Sequence, residues 1–440
     1  MAISNYKTWL KALKIIPGGN MLISKRPPES LIKKYPIYFS KCEGSYIWDL
    51  NGKKYLDMFL MGVGTNILGY NNKKVNQAVK KVIKTGNMSS LNSLEDYKLA
   101  KELIKINKWA DMVKFARTGG EANAIAVRIA RASNKKDIIA FCGYHGWHDW
   151  YLSANLSNKK NLDSHLFPNL RSSGVPKNLK NTSVGFKFND SKSLIKIVKK
   201  FKNNLSAIKI EIQRTVPPTQ EFIETIKNIQ KKLKILIIVD ECTSGFRETY
   251  GGLYKKFNIV PDIAIFGKAL GNGYPITAIV GKKNVMKFAE KTFISSTFWT
   301  DRIGTSAAIE TLKIMKKKKS WIKISNTGKK IKKEWIKIAK LSKVPIEISG
   351  LDAMPKFEIK HKKNDFYKQF IILEMLKKKI LAKNVIYIST SHSKKQINNY
   401  LQNLYKIFNK IGDDISNKRR IKLTNRFFDN KKEISLKRLN

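Results

Sequence analysis

The middle of the chain alternates short apolar runs with segments of helical periodicity, and this alternation constrains the fold more than any other feature. The runs are rich in isoleucine and valine, as strands buried on both faces of a sheet are. Strands that alternate with helices predict an α/β fold, with a mostly parallel sheet and helices on both of its faces. The runs are Asp137–Cys142, Ala207–Ile212, Ile235–Asp240 and Ile263–Gly267, and helical segments between them are Ser191–Lys202 and Phe222–Leu233.

Both ends of the chain differ from this middle part. Short aromatic-rich pieces such as Tyr46–Asp49 lie near the start, and amphipathic helices such as Ile331–Leu341 lie near the end, with strand-like Ile346–Ser349 and Val385–Ile388. We therefore predict a large α/β domain and a smaller α+β domain that both ends build together. The predicted boundaries are 1–60 and 302–412 for the small domain, 61–301 for the large one, and 413–440 for a basic tail.

The formal net charge of +53 raises the question of nucleic-acid binding. The excess is almost entirely lysine and is spread along the chain together with isoleucine and asparagine, whereas nucleic-acid binding concentrates charge on one face. We interpret it as a compositional bias and expect no specific nucleic acid as a partner. A polyanion-binding protein without catalysis remains as an alternative.

Cysteine content and hydropathy exclude several other classes of protein. The three cysteines, Cys42, Cys142 and Cys242, lie far apart, which excludes a disulfide scaffold and a cysteine-rich zinc site. Hydrophobic residues form 42% of the chain, too many for a disordered protein. No uncharged apolar run reaches the roughly 18 residues of a membrane helix, and the N-terminus has no cleavage pattern. We predict a cytoplasmic protein that does not interact with membranes.

Two loops that follow predicted strands contain candidate ligand-binding groups. Gly119 and Gly120 precede a helix, whose N-terminus offers free N–H groups and a positive dipole end to an anion such as phosphate. After Asp137–Cys142 comes an aromatic loop that contains Tyr144, His145 and His148 and could stack on a planar ligand. A zinc site is disfavoured because no third ligand lies at a suitable spacing, and we expect no metal.

Two further strand ends carry an acid and a lysine. Asp240 ends a buried apolar run, where a carboxylate is costly unless it meets a cation. Lys268 follows another run between glycine and apolar residues, where desolvation should lower the pKa of its amine and suit it to form an imine. A helix start that can bind phosphate, an aromatic loop that can stack on a planar ligand, a buried acid and a reactive lysine together indicate pyridoxal phosphate.

With these residues the sequence resembles the class III pyridoxal-phosphate aminotransferases, in the branch that includes glutamate-1-semialdehyde 2,1-aminomutase. The resemblance implies a fold-type I transferase and extends from about residue 10 to about residue 410. The matching motifs are IPGG at Ile16–Gly19, TGGEA at Thr118–Ala122, YHGWHD at Tyr144–Asp149, DECTSGFR at Asp240–Arg247, PDIAIFGKALGNGYP at Pro261–Pro275 and SSTFWT at Ser295–Thr300.

The resemblance implies a role for each residue of the site. Lys268 corresponds to the Schiff-base lysine, and Asp240 corresponds to the partner of the pyridinium nitrogen. Gly119 and Gly120 would hold the phosphate through backbone N–H groups, and Tyr144 would stack on the ring.

Further implications concern supporting residues and assembly. Glu211 corresponds to the strand-end glutamate of the family, and Thr297 to the residue that reaches the phosphate in the neighbouring subunit. Homodimers with both active sites at the interface are expected. Ala154–Ser183 corresponds to the mobile region that gates the aminomutase site.

Three departures from the family pattern affect the substrate side. The arginine that follows the PGG motif in the aminomutase has Lys25 and Arg26 as its nearest candidates, and Val63 stands where the family has a pocket tryptophan. The acid expected near Asn384 is missing. These changes favour amino transfer to a different keto or aldehyde substrate; the alternatives are the aminomutase reaction and epimerisation of an amino acid.

Overall fold

The structure, a computed structural model, describes residues 4–165, 171–418, 420 and 421. The chain divides into two compact units. One, the terminal unit, joins the described residues up to Asn72 to those from Lys323 to the end of the described chain, and the other, the central unit, spans Lys73–Ile322. The boundaries predicted from the sequence, at 60 and 302, lie closer to the N-terminus than the unit boundaries at Asn72 and Lys323. Most of the predicted basic tail, 413–440, lies outside the described residues.

The first part of the terminal unit is an antiparallel three-stranded ribbon. The second strand pairs with both others, and a one-turn element with left-handed residues follows the third. The elements are α1 (Asn5–Ile15), β1 (Phe39–Glu43), β2 (Tyr46–Asp49), β3 (Lys54–Met58) and α2 (Met61–Gly64).

The central unit contains the alternating strands and helices that the sequence predicts. Its elements are α3 (Lys73–Thr85), α4 (Leu94–Ile106), β4 (Met112–Ala116), α5 (Gly119–Asn134), β5 (Ile138–Cys142), α6 (Asp149–Leu152), α7 (Ala154–Ser157), β6 (Ser183–Gly185), α8 (Ser191–Phe201), β7 (Leu205–Ile210), α9 (Gln220–Leu233), β8 (Leu236–Glu241), β9 (Ile263–Phe266), β10 (Thr277–Gly281), α10 (Lys283–Met286) and α11 (Arg302–Lys318).

Within the described residues, the central sheet has seven strands in the order β4-β10-β9-β8-β7-β5-β6. Neighbours from β9 to β6 are parallel, and β10 runs antiparallel to both β4 and β9. The predicted α/β class with a mostly parallel sheet is confirmed. Its parallel strands bring their carboxyl ends to one edge, where ligands bind in open α/β sheets.

Helix α5 covers one face of this sheet. Thr118 caps it: its hydroxyl accepts from the Glu121 N–H, and the Glu121 carboxylate accepts from the Thr118 N–H at 2.7 Å. The apolar stripe of the helix, with Ala122, Ala126 and Ile129 fully buried, packs against the aliphatic side chains of the sheet. The capped end of α5 is thereby fixed beside the strand ends.

The last part of the chain completes the terminal unit. Its elements are α12 (Ser320–Leu341), β11 (Ile346–Ser349), β12 (Lys356–Ile359), α13 (Asn364–Lys377), β13 (Ile380–Ala382) and α14 (Lys394–Ile415). Strand β13 pairs in parallel with β3, so both chain ends share one sheet.

The predicted strand Val385–Ile388 is wrong. Val385 makes only an isolated bridge to Lys356, and the N–H groups of Ile386 and Ile388 bond to the carbonyls of Pro355 and Ala353 in the same antiparallel register. Pro355 has no N–H to return, and the Tyr387 N–H bonds to Phe59 O at 2.8 Å, so the pairing does not extend into a continuous strand. Among the helices of the described residues, none is long and apolar enough to cross a membrane.

Candidate active site

The start of α5 and the ends of β8 and β9 meet around Cys242. A Cβ built on Gly119 would lie 3.4 Å from the Cys242 sulfur, and one built on Gly267 would lie 3.3 Å from it. Gly267 immediately precedes Lys268, and Cys242 follows Asp240 by two residues. Three of the predicted strand-end sites therefore converge in the central unit.

Asp240 is buried at the end of β8 and held by two hydrogen bonds. Its Oδ2 lies 2.9 Å from His145 Nδ1, and its Oδ1 accepts from the Cys242 N–H at 3.0 Å. Burial alone would raise the pKa of Asp240, but the His145 hydrogen bond and the charge of Lys209 hold it well below its usual range. The carboxylate is ionised and suited to face a cationic ring nitrogen.

Lys268 follows β9 at the same edge of the sheet. It is half-buried, and its Nζ donates to Thr243 Oγ1 at 2.6 Å. Its backbone has φ 42°, a left-handed conformation that costs a non-glycine residue about 1 kcal/mol or more. Such strain is typical of functional residues, and the Thr243 hydroxyl fixes the direction of the amine.

Gly119 and Gly120 are the first two residues of α5, so their N–H groups have no carbonyl partner within the helix. Gly120 is also closely packed, because a Cβ there would lie 2.6 Å from His148 Cε1. The donors at this helix start suit an anion, and with the Asp240 carboxylate and the Lys268 amine beside them the residues present fit pyridoxal phosphate.

Glu211, just beyond β7, holds the aromatic loop in position. Its Oε2 accepts from the Tyr144 N–H at 2.9 Å, and its Oε1 pairs with the Arg214 guanidinium. The Tyr144 ring stands edge-on to Tyr151, with centroids 6.2 Å apart. Glu211 therefore acts on the backbone of the loop that carries Tyr144.

Thr297 is exposed, in a short 3₁₀ helix (Thr297–Thr300). Arg117 anchors this segment: its Nη2 donates to the carbonyls of Trp299 and Asp301, each at 2.8 Å, and its Nε pairs with the Asp301 carboxylate. Sequence reasoning missed Arg117, although it directly precedes the TGGEA motif. Within the described residues, no group of three His, Cys, Asp or Glu side chains could hold a metal ion.

The proposed substrate-side residues all lie in the terminal unit. The Arg26 guanidinium lies against Gly18 of the IPGG motif. Burial raises the pKa of the Cys42 thiol, and the charge of nearby Lys25 opposes that rise only in part. Val63 adopts φ 60°, which is strained for a β-branched residue. Asn384 has a structural partner, since its Nδ2 donates to the Phe357 carbonyl at 2.9 Å.

The Aminotransferase class-III family model matches residues 31–408. The chain belongs to this family. The family consists of pyridoxal-phosphate enzymes, so the chain is an enzyme whose cofactor is pyridoxal 5'-phosphate. The resemblance and the cofactor predicted from the sequence are confirmed, and the alternative of a polyanion-binding protein without catalysis is set aside.

Its curated relatives have two different activities. The chain is 33% identical over 370 residues to a 3-aminobutyryl-CoA aminotransferase of Cloacimonas acidaminovorans, which covers 82% of this chain and 84% of the relative. It is 30% identical over 433 residues to a glutamate-1-semialdehyde 2,1-aminomutase of Wigglesworthia glossinidia brevipalpis, covering 91% and 97%.

Two solved structures share the fold of this chain. The FumI protein of Sphingopyxis sp. MTA144 superposes with a TM-score of 0.83 at 21% identity, covering 94% of this chain and 97% of that one. An omega-transaminase from Sphaerobacter thermophilus gives 0.81 at 20% identity, covering 92% and 97%. At these identities the likeness concerns the fold alone.

Proposed function

We propose that the chain is an aminotransferase that moves an amino group between two different molecules, from an amino donor to a keto or aldehyde acceptor. In this proposal Lys268 attaches the cofactor, Asp240 binds its ring nitrogen, and the N–H groups of Gly119 and Gly120 bind its phosphate. The observation that carries the proposal is the amine of Lys268, held by Thr243 beside the buried, ionised Asp240 at the strand ends.

Each residue has a task in this reaction. Pyridoxal phosphate supplies an electron sink for the carbon that bears the amino group. Asp240 keeps a proton on the ring nitrogen, because its own carboxylate stays ionised beside His145. Lys268 would attach the cofactor through its Nζ, and the same amine, when free, would move a proton beside it. Tyr144 would stack on the cofactor, and Glu211 keeps the loop of Tyr144 in place.

Transfer between two molecules is favoured over the aminomutase reaction by the substrate-side residues. A small substrate with a carboxylate suits a bidentate guanidinium, whereas Lys25 offers a point charge. Val63, where the family resemblance implies a tryptophan, is a smaller side chain and would suit a bulkier acceptor. A relative named for a coenzyme A ester, an extended substrate, agrees with a bulkier acceptor.

Glutamate-1-semialdehyde 2,1-aminomutase is the second candidate. A relative with that name in Campylobacter hominis matches nearly the whole chain, at 31% identity over 94% of it. Arg26 directly follows Lys25 and would supply the guanidinium that the aminomutase substrate needs.

A homodimer is part of the proposal. The central unit exposes large apolar side chains, with Leu91 and Phe293 more than 80% exposed and Phe298 70% exposed. Exposed apolar surface of this kind is typical of association surfaces. In the dimer the exposed Thr297 would reach the cofactor phosphate of the neighbouring subunit. Light scattering should give about twice the chain mass of 50.4 kDa.

The assignment of Lys268 is tested by trapping the cofactor. Purified protein is treated with borohydride, digested, and mapped for the reduced pyridoxyl group. We expect the group on Lys268 and loss of both label and visible absorption in Lys268→Ala. Lys114→Ala, which changes another half-buried lysine of the same sheet, is the control and should keep both. Label on another lysine in the wild type would contradict the assignment.

A further inference from the structure

Strand β7 carries a lysine where its neighbours are aliphatic. Lys209 lies between Ile208 and Ile210 in the middle of the sheet, hydrogen-bonded between β5 and β8. Its side chain is 0% exposed, and among the described residues it is the only lysine that is buried. In a chain so rich in exposed lysine, one buried ammonium is not explained by composition.

The Lys209 amine makes no hydrogen bond within the described residues. A buried ammonium costs several kcal/mol unless nearby negative charge compensates it. The native structure therefore retains an unfavourable group, and the compensation has to come from charges at longer range.

Those charges belong to the cofactor site. Lys209 pairs with Ile238 of β8 in the sheet register, and Asp240 is two residues further along the same face. Glu211 is two residues after Lys209, just beyond the end of β7, and lies on the same face. Helix α5 covers this face of the sheet. The buried side chains of the helix are uncharged: Ala122, Asn123, Ile125, Ala126, Val127, Ile129 and Ala130.

The electrostatics agree with this placement. Burial lowers the pKa of Lys209 to about 8, while the charges of Asp240, Cys242 and Glu211 oppose the fall. The charge of Lys209 in turn helps to hold the pKa of Asp240 down and adds to the effect of burial in lowering the pKa of His145. Lys209 thus acts on both members of the pair that would meet the ring nitrogen.

We propose that Lys209 is a positioning residue of the cofactor site, whose ammonium charge acts through the Asp240–His145 pair to lower the proton affinity of the cofactor that this pair holds. The inference rests on the proposed function. Asp240 attracts a proton to the ring, and Lys209 offsets part of that attraction. Lys209 would therefore adjust how strongly the cofactor withdraws electrons, although its side chain would not contact the substrate.

The test is a pH titration of the visible absorption of the cofactor-loaded protein, for the wild type, Lys209→Met and Lys114→Met. Removing a positive charge about 10 Å away at an effective dielectric constant of about 20 raises the midpoint by roughly one pH unit. We expect that upward shift in Lys209→Met. We expect none in Lys114→Met, which removes a half-buried lysine four strands away in the same sheet.

Each outcome decides a separate claim. An unchanged midpoint in a folded Lys209→Met protein, or an equal shift in Lys114→Met, would overturn the role of Lys209. Lys209→Ile, which matches the flanking residues, is the second variant; if neither variant folded, the charge would serve folding and the proposal would be wrong. A wild type without any visible cofactor band would instead contradict the proposed function.

Discussion

Replacing Glu241 by glutamine should stabilise the protein at neutral pH and change how its stability depends on pH. Glu241 is 1% exposed, its Oε2 accepts from the Ser244 hydroxyl at 2.5 Å, and its Oε1 accepts from the Tyr254 N–H at 3.0 Å. Burial raises its pKa from 4.5 to about 7, against the effect of those hydrogen bonds. Glutamine keeps the shape and can still bond to both partners.

The direction of the effect follows from proton binding. Between pH 4.5 and about 7 the folded protein holds the Glu241 proton more tightly than the unfolded chain does. Glu241 therefore makes its full contribution to the free energy of unfolding below pH 4.5, and this contribution is lost as the pH rises through about 7. The pKa difference of about 2.5 corresponds to about 3 kcal/mol in the free energy of unfolding. For a domain the size of the central unit this is about 6 °C in Tm.

The assay is the Tm of the wild type and Glu241→Gln from about pH 5 to about pH 8, with and without added cofactor. The Tm of the variant minus the Tm of the wild type should increase as the pH rises. Glu224→Gln, an exposed change on α9, controls for the loss of a carboxylate and should show no such trend. A Tm difference that does not vary with pH would refute the reasoning, since Glu241 would then not titrate in this range.

Three further predictions concern the cofactor, the substrate and the surface charge. Asp240→Asn should reduce turnover on the order of 100-fold or more, because a neutral amide cannot keep the ring nitrogen protonated. Cofactor affinity, measured by absorbance titration, should change far less. Near-normal turnover in this variant would exclude the proposed role of Asp240 at the ring nitrogen. The purified enzyme should form little 5-aminolevulinate from glutamate-1-semialdehyde, and efficient formation in that assay would favour the aminomutase. Binding to duplex DNA in a filter or polarisation assay should be weak and should disappear as salt rises from about 50 to about 200 mM; tight, sequence-selective binding at the higher salt would show that the lysine excess has a recognition role.

Much of the fold could be predicted because it depends on local patterns. All of the predicted run Asp137–Cys142 except the exposed Asp137 forms β5, and every residue of β5 is buried, since a strand covered on both faces uses so continuous an apolar run. Strand β10 was not predicted, and its antiparallel direction depends on pairing with β4 and β9, which are distant in sequence. Val385–Ile388 was predicted as a strand but forms only an isolated bridge, because the sequence of an apolar extended segment does not show whether its pairing with a neighbour is continuous.

The candidate site divides in the same way. Asp240, Lys268 and the two glycines could be identified because each follows a strand, and strand ends meet at one edge of a parallel sheet. The pairing of His145 with Asp240 was not predicted, because the bond joins residues 95 positions apart. The role of Thr243 depends equally on where the folded chain directs the Lys268 amine. Lys209 could have been noticed as the one lysine in the apolar run Ala207–Ile212.

Transfer of an amino group to the cofactor by a donor molecule tests the central claim most directly. The cofactor-loaded enzyme is incubated with a panel of amino donors and no acceptor, and the visible absorption band and the carbonyl product are measured. We predict that at least one donor removes the band and yields one carbonyl product per active site, and that Lys268→Ala does neither. Donors that all leave the band unchanged, together with efficient conversion of glutamate-1-semialdehyde, would contradict transfer between molecules.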